Sequence, residues 1–253
     1  MGTHPPAPFL RPRREGGVAN PPRIKALIFD FDSLILETEA PIFQAWRELY
    51  QEYGHTLPLE CYALTIGTSE DAFDLYGYLE ELLGEPIPLE QIKARQLARY
   101  YELIAQLPVL PGVRDAIASA KDLGLKLALA SSSPRTWVVN HLSRVGLLES
   151  FDCLRVAEDV TCVKPNPELY LSVLAGLGVQ PGEAVAFEDS ANGIKAAKAA
   201  GVFCIAVPSE LTRGTEMEPA DYTMASLGDL PLPNLLAVVR KIKRDRRQGF
   251  LPH

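Results

Sequence analysis

Residues 24–32 read Ile-Lys-Ala-Leu-Ile-Phe-Asp-Phe-Asp, a nearly continuous apolar run that ends in two carboxylates, Asp30 and Asp32. A short apolar run without alternation fits a strand buried on both faces of a parallel sheet. Similar runs recur at residues 125–130 (LKLALA), 184–187 (AVAF) and 202–207 (VFCIAV). Helical stretches lie between them. One starts at Pro111, with Val113, Ile117 and Ala120 on one face and Gly124 just past its end. Others are predicted over 134–145, 166–176 and 191–200, the last closed by Gly201. Strand–helix alternation implies βαβ units and an α/β fold, a doubly wound, Rossmann-like parallel sheet.

One region breaks the alternation. From Glu39 to about Leu107 the pattern is helical throughout: Ile42, Phe43, Trp46, Leu49 and Tyr50 recur at helix spacing. So do Phe73, Leu75, Leu79 and Leu82, then Ile92, Leu97, Tyr101 and Ile104, with Pro58, Gly67, Gly84, Pro86 and Pro88 as punctuation. The predicted organisation is therefore a catalytic core from residues 23–38 and 108–253, with a helical cap, residues 39–107, inserted after the first strand. The crossings near Thr38 and Pro108 would be its hinges. Residues 1–22, rich in Pro, Arg and Gly, read as a disordered extension.

Composition narrows the function classes. The 253 residues are 47% hydrophobic and 23% charged, ordinary for a globular enzyme. A net charge of −7 repels phosphate backbones, so nucleic acid is not an expected partner, while a local pocket can still take a small anion. Cys61, Cys153, Cys162 and Cys204 are too scattered for a zinc site or a disulfide framework and read as thiols of a reducing cytoplasm. No apolar run approaches the ~20 residues that span a bilayer, so no membrane partner is expected. Met1-Gly2 opens like a myristoylation signal, but Pro6 stands where that signal wants Ser or Thr, and Arg11, Arg13 and Arg14 allow an organelle-targeting reading. The basic cluster of Lys241, Lys243, Arg244, Arg246 and Arg247 suits the end of a helix. A monomer or weak dimer is expected.

Ligands of an open parallel sheet gather beyond the carboxyl ends of its strands, and four clusters stand at such ends or in the loops leading from them. Asp30 and Asp32 place two like charges side by side, a conflict that a divalent cation resolves; the pair alone also reads as an Asx turn with a helix cap. Ser131, Ser132 and Ser133 offer hydroxyls and backbone N–H groups to an anion, or simply cap the helix after Pro134. Lys164, between prolines at 165 and 167, is a fixed cation for phosphate, or a solvated lysine in a turn. Glu188 and Asp189 suit a metal, or complement a helix dipole. Four chance coincidences at strand ends are harder to accept than one site for phosphoryl transfer.

At these motifs the chain strongly resembles the haloacid dehalogenase superfamily, in its phosphatase and β-phosphoglucomutase-like branch with a helical cap. The resemblance rests on DFDSLILETE (30–39), LALASSS (127–133), KPNPELY (164–170) and FEDSANGIKAAKAAG (187–201). It implies an Mg²⁺-dependent phosphatase acting on a small organic phosphate. Asp30 would be the nucleophile that forms an aspartyl-phosphate; Asp32 would protonate the leaving group and then activate water. Ser131 and Lys164 would bind the phosphoryl oxygens, and Lys164 would also steady Asp30. The metal ligands would be Asp30, Asp189 and the backbone carbonyl of Asp32, with Glu188 in support.

Departures from the family pattern set the alternatives. Ser33 stands where the family usually has Gly, and Leu34 where it often has Thr, which admits a catalytically silent binding protein. Ile42 stands where the sugar-phosphate mutases of this branch carry a histidine, which speaks against the mutase. Asp32 speaks against dehalogenases, which lack it, and Lys93, the single lysine in the insertion, lacks the setting of a Schiff-base lysine. Substrate choice is expected in the cap, at Glu39 and around Thr65, Gly67 and Thr68, whose hydroxyls suit a sugar or polyol phosphate; a plain helix-capping loop fits these last residues equally well.

Overall fold

In the computed structural model, residues 22–65, 73–209, 211 and 220–250 are described. Among them, six parallel strands run β1 (Ala26–Phe29), β2 (Lys126–Ala130), β3 (Cys153–Arg155), β4 (Ala184–Glu188), β5 (Phe203–Ala206) and β6 (Tyr222–Thr223). Their spatial order is β3-β2-β1-β4-β5-β6, so the chain reverses its direction of travel across the sheet between β1 and β4. That switch point leaves a crevice at the carboxyl ends of the two central strands.

The four strands read from the apolar runs are present. Two more, β3 and β6, had no such run: they have three and two residues, lie at the two sheet edges, and include the polar Arg155 and Thr223. Short edge strands need only one paired side and so need not be apolar. Five helices flank this sheet: α5 (Val113–Asp122), α6 (Arg135–Arg144), α7 (Glu168–Leu177), α8 (Ala191–Ala199) and α9 (Leu232–Arg247). Four more, α1 (Glu39–Glu52), α2 (Leu59–Ala63), α3 (Leu75–Leu83) and α4 (Leu89–Ala105), fill the interval between β1 and α5.

The two sheet faces differ in side-chain size. On one face Leu27, Phe29, Leu127, Leu129, Val185, Phe187, Phe203 and Ile205 pack against α5, α6 and α9. Apart from Ile28, the other face carries Ala26, Ala128, Ala130, Ala184, Ala186, Cys204 and Ala206, which leave room for α7 and the alanine-rich α8 to lie close. Strand periodicity of two makes this division automatic where a strand alternates large and small, as β2 and β4 do. The helices α1–α4 have a separate buried cluster around Leu49, Tyr50, Tyr62, Leu79 and Ile92. Leu97 and Tyr101, read as part of the apolar face of α4, are instead about half exposed, whereas Ile92 and Ile104 are buried. Five residues on from Ile92, Leu97 sits about 140° round a helix of 3.6 residues per turn.

The two crossings near Thr38 and Pro108 lie side by side: Leu36 bridges Val109 antiparallel, and the Leu110 N–H donates to Ile35 O at 2.9 Å. The basic residues of α9 end that helix and also reach the sheet's amino edge, where Lys243 donates to Gly182 O at 2.8 Å and Arg246 pairs with Asp221.

Gly112 joins α5 to the rest of the core. Its φ is +81°, and a Cβ there would lie 2.1 Å from the Gly228 backbone nitrogen. Gly124 also has positive φ, +67°, but faces open space. Both Gly→Ala changes are expected to cost ~1–2 kcal/mol in backbone strain, and Gly112→Ala adds a backbone collision. Thermal unfolding should show a melting temperature for Gly112→Ala lowered at least twice as far as for Gly124→Ala.

Candidate active site

Register brings three of the four motifs to one edge. Phe29 pairs with Leu129 on one side and with Phe187 on the other, so the residues that follow each strand emerge together. The Asp30 N–H donates to Phe187 O at 3.0 Å, extending the β1–β4 ladder to the nucleophile candidate itself. Beyond it the chain turns sharply, with Ile35 N–H donating to Phe31 O at 2.9 Å and Ser33 at φ +55°. This left-handed conformation favours glycine. Ser33 is held in it by its hydroxyl, which donates to Glu37 Oε1 at 3.1 Å and accepts from the Glu39 N–H at 3.3 Å.

Asp30, Glu188 and Asp189 are buried, and one oxygen from each lies within 4.8 Å of the others. Lys164 reaches this trio from the loop between β3 and α7. Its Nζ lies 2.5 Å from Asp30 Oδ1 and 2.6 Å from Glu188 Oε1. That loop is pinned from below: Glu168 accepts from the N–H groups of Thr161 and Cys162 at 2.9 and 3.0 Å, and Asn166 Oδ1 accepts from Glu168 N–H at 3.0 Å. The Lys164–Pro165 peptide is cis.

Glu188 is fully buried and makes three contacts besides those in the trio. Tyr170 donates its hydroxyl to Oε1, alongside Lys164, and Ser190 Oγ approaches Oε2 at 3.4 Å. The start of α8 can lie over this carboxylate because residue 193 is glycine: a Cβ there would sit 1.8 Å from Glu188 Oε2.

Electrostatics match the crowding. Burial pushes the Asp30 carboxyl up to about 7, with Lys164 pulling it down and Glu188 and Asp32 pushing it further up. Burial, then the charges of Asp30 and Glu188, holds the Asp189 carboxyl well above the usual carboxylate range. Burial alone would disfavour the Lys164 ammonium, but Asp30 and Glu188 outweigh it and keep its pKa above that of a free lysine. One ammonium against three carboxylates leaves the cluster two positive charges short. Hard oxygen donors with that deficit suit a divalent cation.

Asp32 stands apart from the trio. Its carboxylate accepts from Ser133 Oγ at 2.5 Å and from Trp137 Nε1 at 3.0 Å. Ser131 is buried at the tip of β2, its N–H donating to Arg155 O and its Oγ accepting from Ser133 N–H, each at 3.0 Å. Ser132 is exposed beyond it. Glu39 opens α1 and accepts from the Tyr62 hydroxyl at 3.0 Å; burial lifts its carboxyl to about 7 against that bond, and its charge is felt by Asp189. Thr65 Oγ1 donates to Tyr62 O at 2.7 Å. Gly67 and Thr68 lie outside the described residues.

The haloacid dehalogenase-like hydrolase family model matches residues 24–201. The chain is 43% identical over 213 residues to "Putative phosphatase YhcW" of Bacillus subtilis, covering 84% of this chain and 96% of that one. The chain belongs to the haloacid dehalogenase-like hydrolases. Within that family it is also 35% identical over 227 residues to hexitol phosphatase B of Escherichia coli, at 87% and 100% coverage. Among solved structures, a variant of CbbY from Rhodobacter sphaeroides in complex with xylulose-(1,5)-bisphosphate matches with a TM-score of 0.63 and 31% identity, at 82% and 96% coverage.

Several residues that shape this hydrolase site escaped the sequence reading. Tyr170, Glu168 and Gly193 lie inside the motifs already quoted, but only contacts assign them a use. Ser133 was visible as the third serine of a run. Trp137, one of two tryptophans, carried a signal only in its rarity and its place in the helix after those serines.

Gly193→Ala should overpack the Glu188 carboxylate at a cost of ~1–3 kcal/mol, about 2–12 °C in melting temperature for a protein of this size. The same change in a Glu188→Ala background should cost less than ~0.5 kcal/mol, because the obstructing carboxylate is gone. Equal losses in the two backgrounds would contradict this close approach.

Proposed function

We propose that this hydrolase is an Mg²⁺-dependent phosphatase of a small phosphate monoester, a sugar or polyol phosphate, working through an aspartyl-phosphate on Asp30. The observation that carries the reading is the buried trio of Asp30, Glu188 and Asp189 with Lys164 bridging two of its members. The relatives lend the substrate class, since hexitol phosphatase B carries it in its name.

In this reading Asp30 attacks phosphorus and the bond to the leaving oxygen breaks, while Asp32 hands that oxygen a proton. Asp32 then takes a proton from water, which attacks the acyl phosphate and returns Asp30 and inorganic phosphate. Lys164 holds Asp30 in line and, with the Ser131 hydroxyl, faces the phosphoryl oxygens. Asp30, Asp189 and the Asp32 carbonyl would hold Mg²⁺; Glu188, already engaged by Lys164, Tyr170 and Ser190, would support them. The bound cation would let an anionic nucleophile approach an anionic ester.

Residues 39–107 form the proposed cap, with its hinges at the adjoining crossings near residues 36 and 109. Its closure would keep water from the first step. Glu39 and the loop around Thr65 would meet the leaving group. The four free cysteines fit the cytoplasm in which the proposal places the enzyme. Ile42 packs against the buried cluster of α1–α4, which gives it a structural use in place of the mutase histidine.

Phosphate release from a panel of sugar, polyol and nucleotide phosphates should require Mg²⁺, stop with chelator, and vanish in Asp30→Asn. Isomer formation without net release would mark a mutase instead, and binding without turnover a silent protein. Separately, Mg²⁺ at 100 times its Kd should stabilise the wild type by about 2.7 kcal/mol, or about 5–11 °C. Asp189→Asn should lose most of that rise, yet melt no lower than the wild type in chelator, since it removes one of three crowded charges.

A further inference from the structure

The Asp32 carboxylate stands outside the metal trio, and its two donors come from two elements. Ser133 Oγ, in the loop after β2, donates to Oδ2; Trp137 Nε1, in the first turn of α6, donates to Oδ1. Each oxygen is thus tied by its own donor, so neither rotation of the carboxylate nor a swing of the side chain leaves both bonds intact. An indole N–H donates only. It can orient a carboxylate without competing for the proton that the carboxylate transfers.

The indole is itself packed among three other rings. The Tyr100 ring stacks on it with centroids 5.5 Å apart and planes within 16°, and Tyr101 lies at 6.0 Å. The His141 ring, one turn along α6, meets it edge-on with centroids 4.1 Å apart. Tyr100 and Tyr101 belong to α4, in the helical insertion, whereas Trp137 and His141 belong to the sheet-flanking α6. Burial raises the Tyr100 phenol, and the charges of Asp32 and Glu39 raise it further.

We infer that Trp137 is the positioning residue of Asp32 and that its stack with Tyr100 makes this positioning depend on α4 being seated against α6. The inference rests on the acid–base reading of Asp32 given above. A proton donor displaced by about 1 Å can cost ~100-fold in rate, so a carboxyl group released from its indole bond transfers its proton poorly even in a folded protein. The insertion would then do more than cover the site: seating α4 would put the acid in place.

Leaving-group dependence separates this role from simple packing. The ratio kcat/KM covers the steps through departure of the leaving group. A sugar or polyol phosphate needs its departing oxygen protonated, whereas p-nitrophenyl phosphate releases a stable anion that does not. Trp137→Phe keeps an aromatic ring, smaller than the indole, in the stack and removes the N–H donor. Its kcat/KM should fall ~10–100-fold on the best sugar or polyol phosphate and stay within about threefold on p-nitrophenyl phosphate. Tyr100→Leu, which keeps the N–H but removes the stacked ring, should show the same selectivity at smaller amplitude, and tests the inference if the phenylalanine variant is unstable.

Asp32→Asn is the reference and should show the selective loss in full. If it does, and the Trp137 and Tyr100 variants lose both substrates equally or neither, the positioning role is wrong while the acid–base reading stands. If Asp32→Asn shows no leaving-group selectivity, the acid–base reading fails and the inference falls with it.

Discussion

Everything in this molecule is arranged around one electrostatic problem, three carboxylates buried beside a single ammonium at the junction of β1 and β4. Burying unpaired charge costs several kcal/mol per group, so such a cluster persists only where the surrounding fold enforces it. The central strand pair enforces it here. The Asp30 N–H is bonded to the strand that delivers Glu188 and Asp189, so neither side can withdraw without breaking the ladder. A cluster left short of positive charge suits a divalent cation.

The scaffold answers that demand on both faces of the sheet. Bulky side chains on one face anchor α5, α6 and α9, while alanines on the other bring α7 and α8 near the strands. Close approach matters because α7 supplies Tyr170 and α8 supplies Gly193, and both touch Glu188. The small-residue face and the fully buried Glu188 are thus one design: larger residues there would push α8 off the carboxylate it covers. Acidic residues elsewhere have plain structural uses. Asp152 accepts from the Leu127 N–H and Asp221 from the Cys204 N–H, each capping a strand start.

The helical insertion meets the core through aromatic contacts rather than ion pairs at the point nearest the chemistry. Tyr100, Tyr101 and Trp137 form a contact that is apolar on its faces and polar at one edge, where the indole N–H meets Asp32. Aromatic stacking contributes ~0.5–1.5 kcal/mol per pair beyond area burial. That is enough to favour seating of α4 against α6.

Local chemistry determined a good deal of this protein. Four buried strands, most sheet-flanking helices and the helical interval between β1 and α5 were legible because each depends on its own apolar period and its own Gly and Pro stops. Asp30, Glu188 and Asp189 were legible because charged residues at the ends of apolar strands have few uses, and Lys164 because prolines at 165 and 167 fix the chain beside it. The edge strands β3 and β6 were not, because two or three residues paired on one side need no apolar pattern. Only the tertiary structure decided which carboxylates share a site. Asp30 and Asp32 look like a pair in the chain, yet the turn at Ser33 sends one to Lys164 and the other to Ser133 and Trp137. Partners 101, 105 and 134 residues away make that division, and no local pattern carries information over such separations.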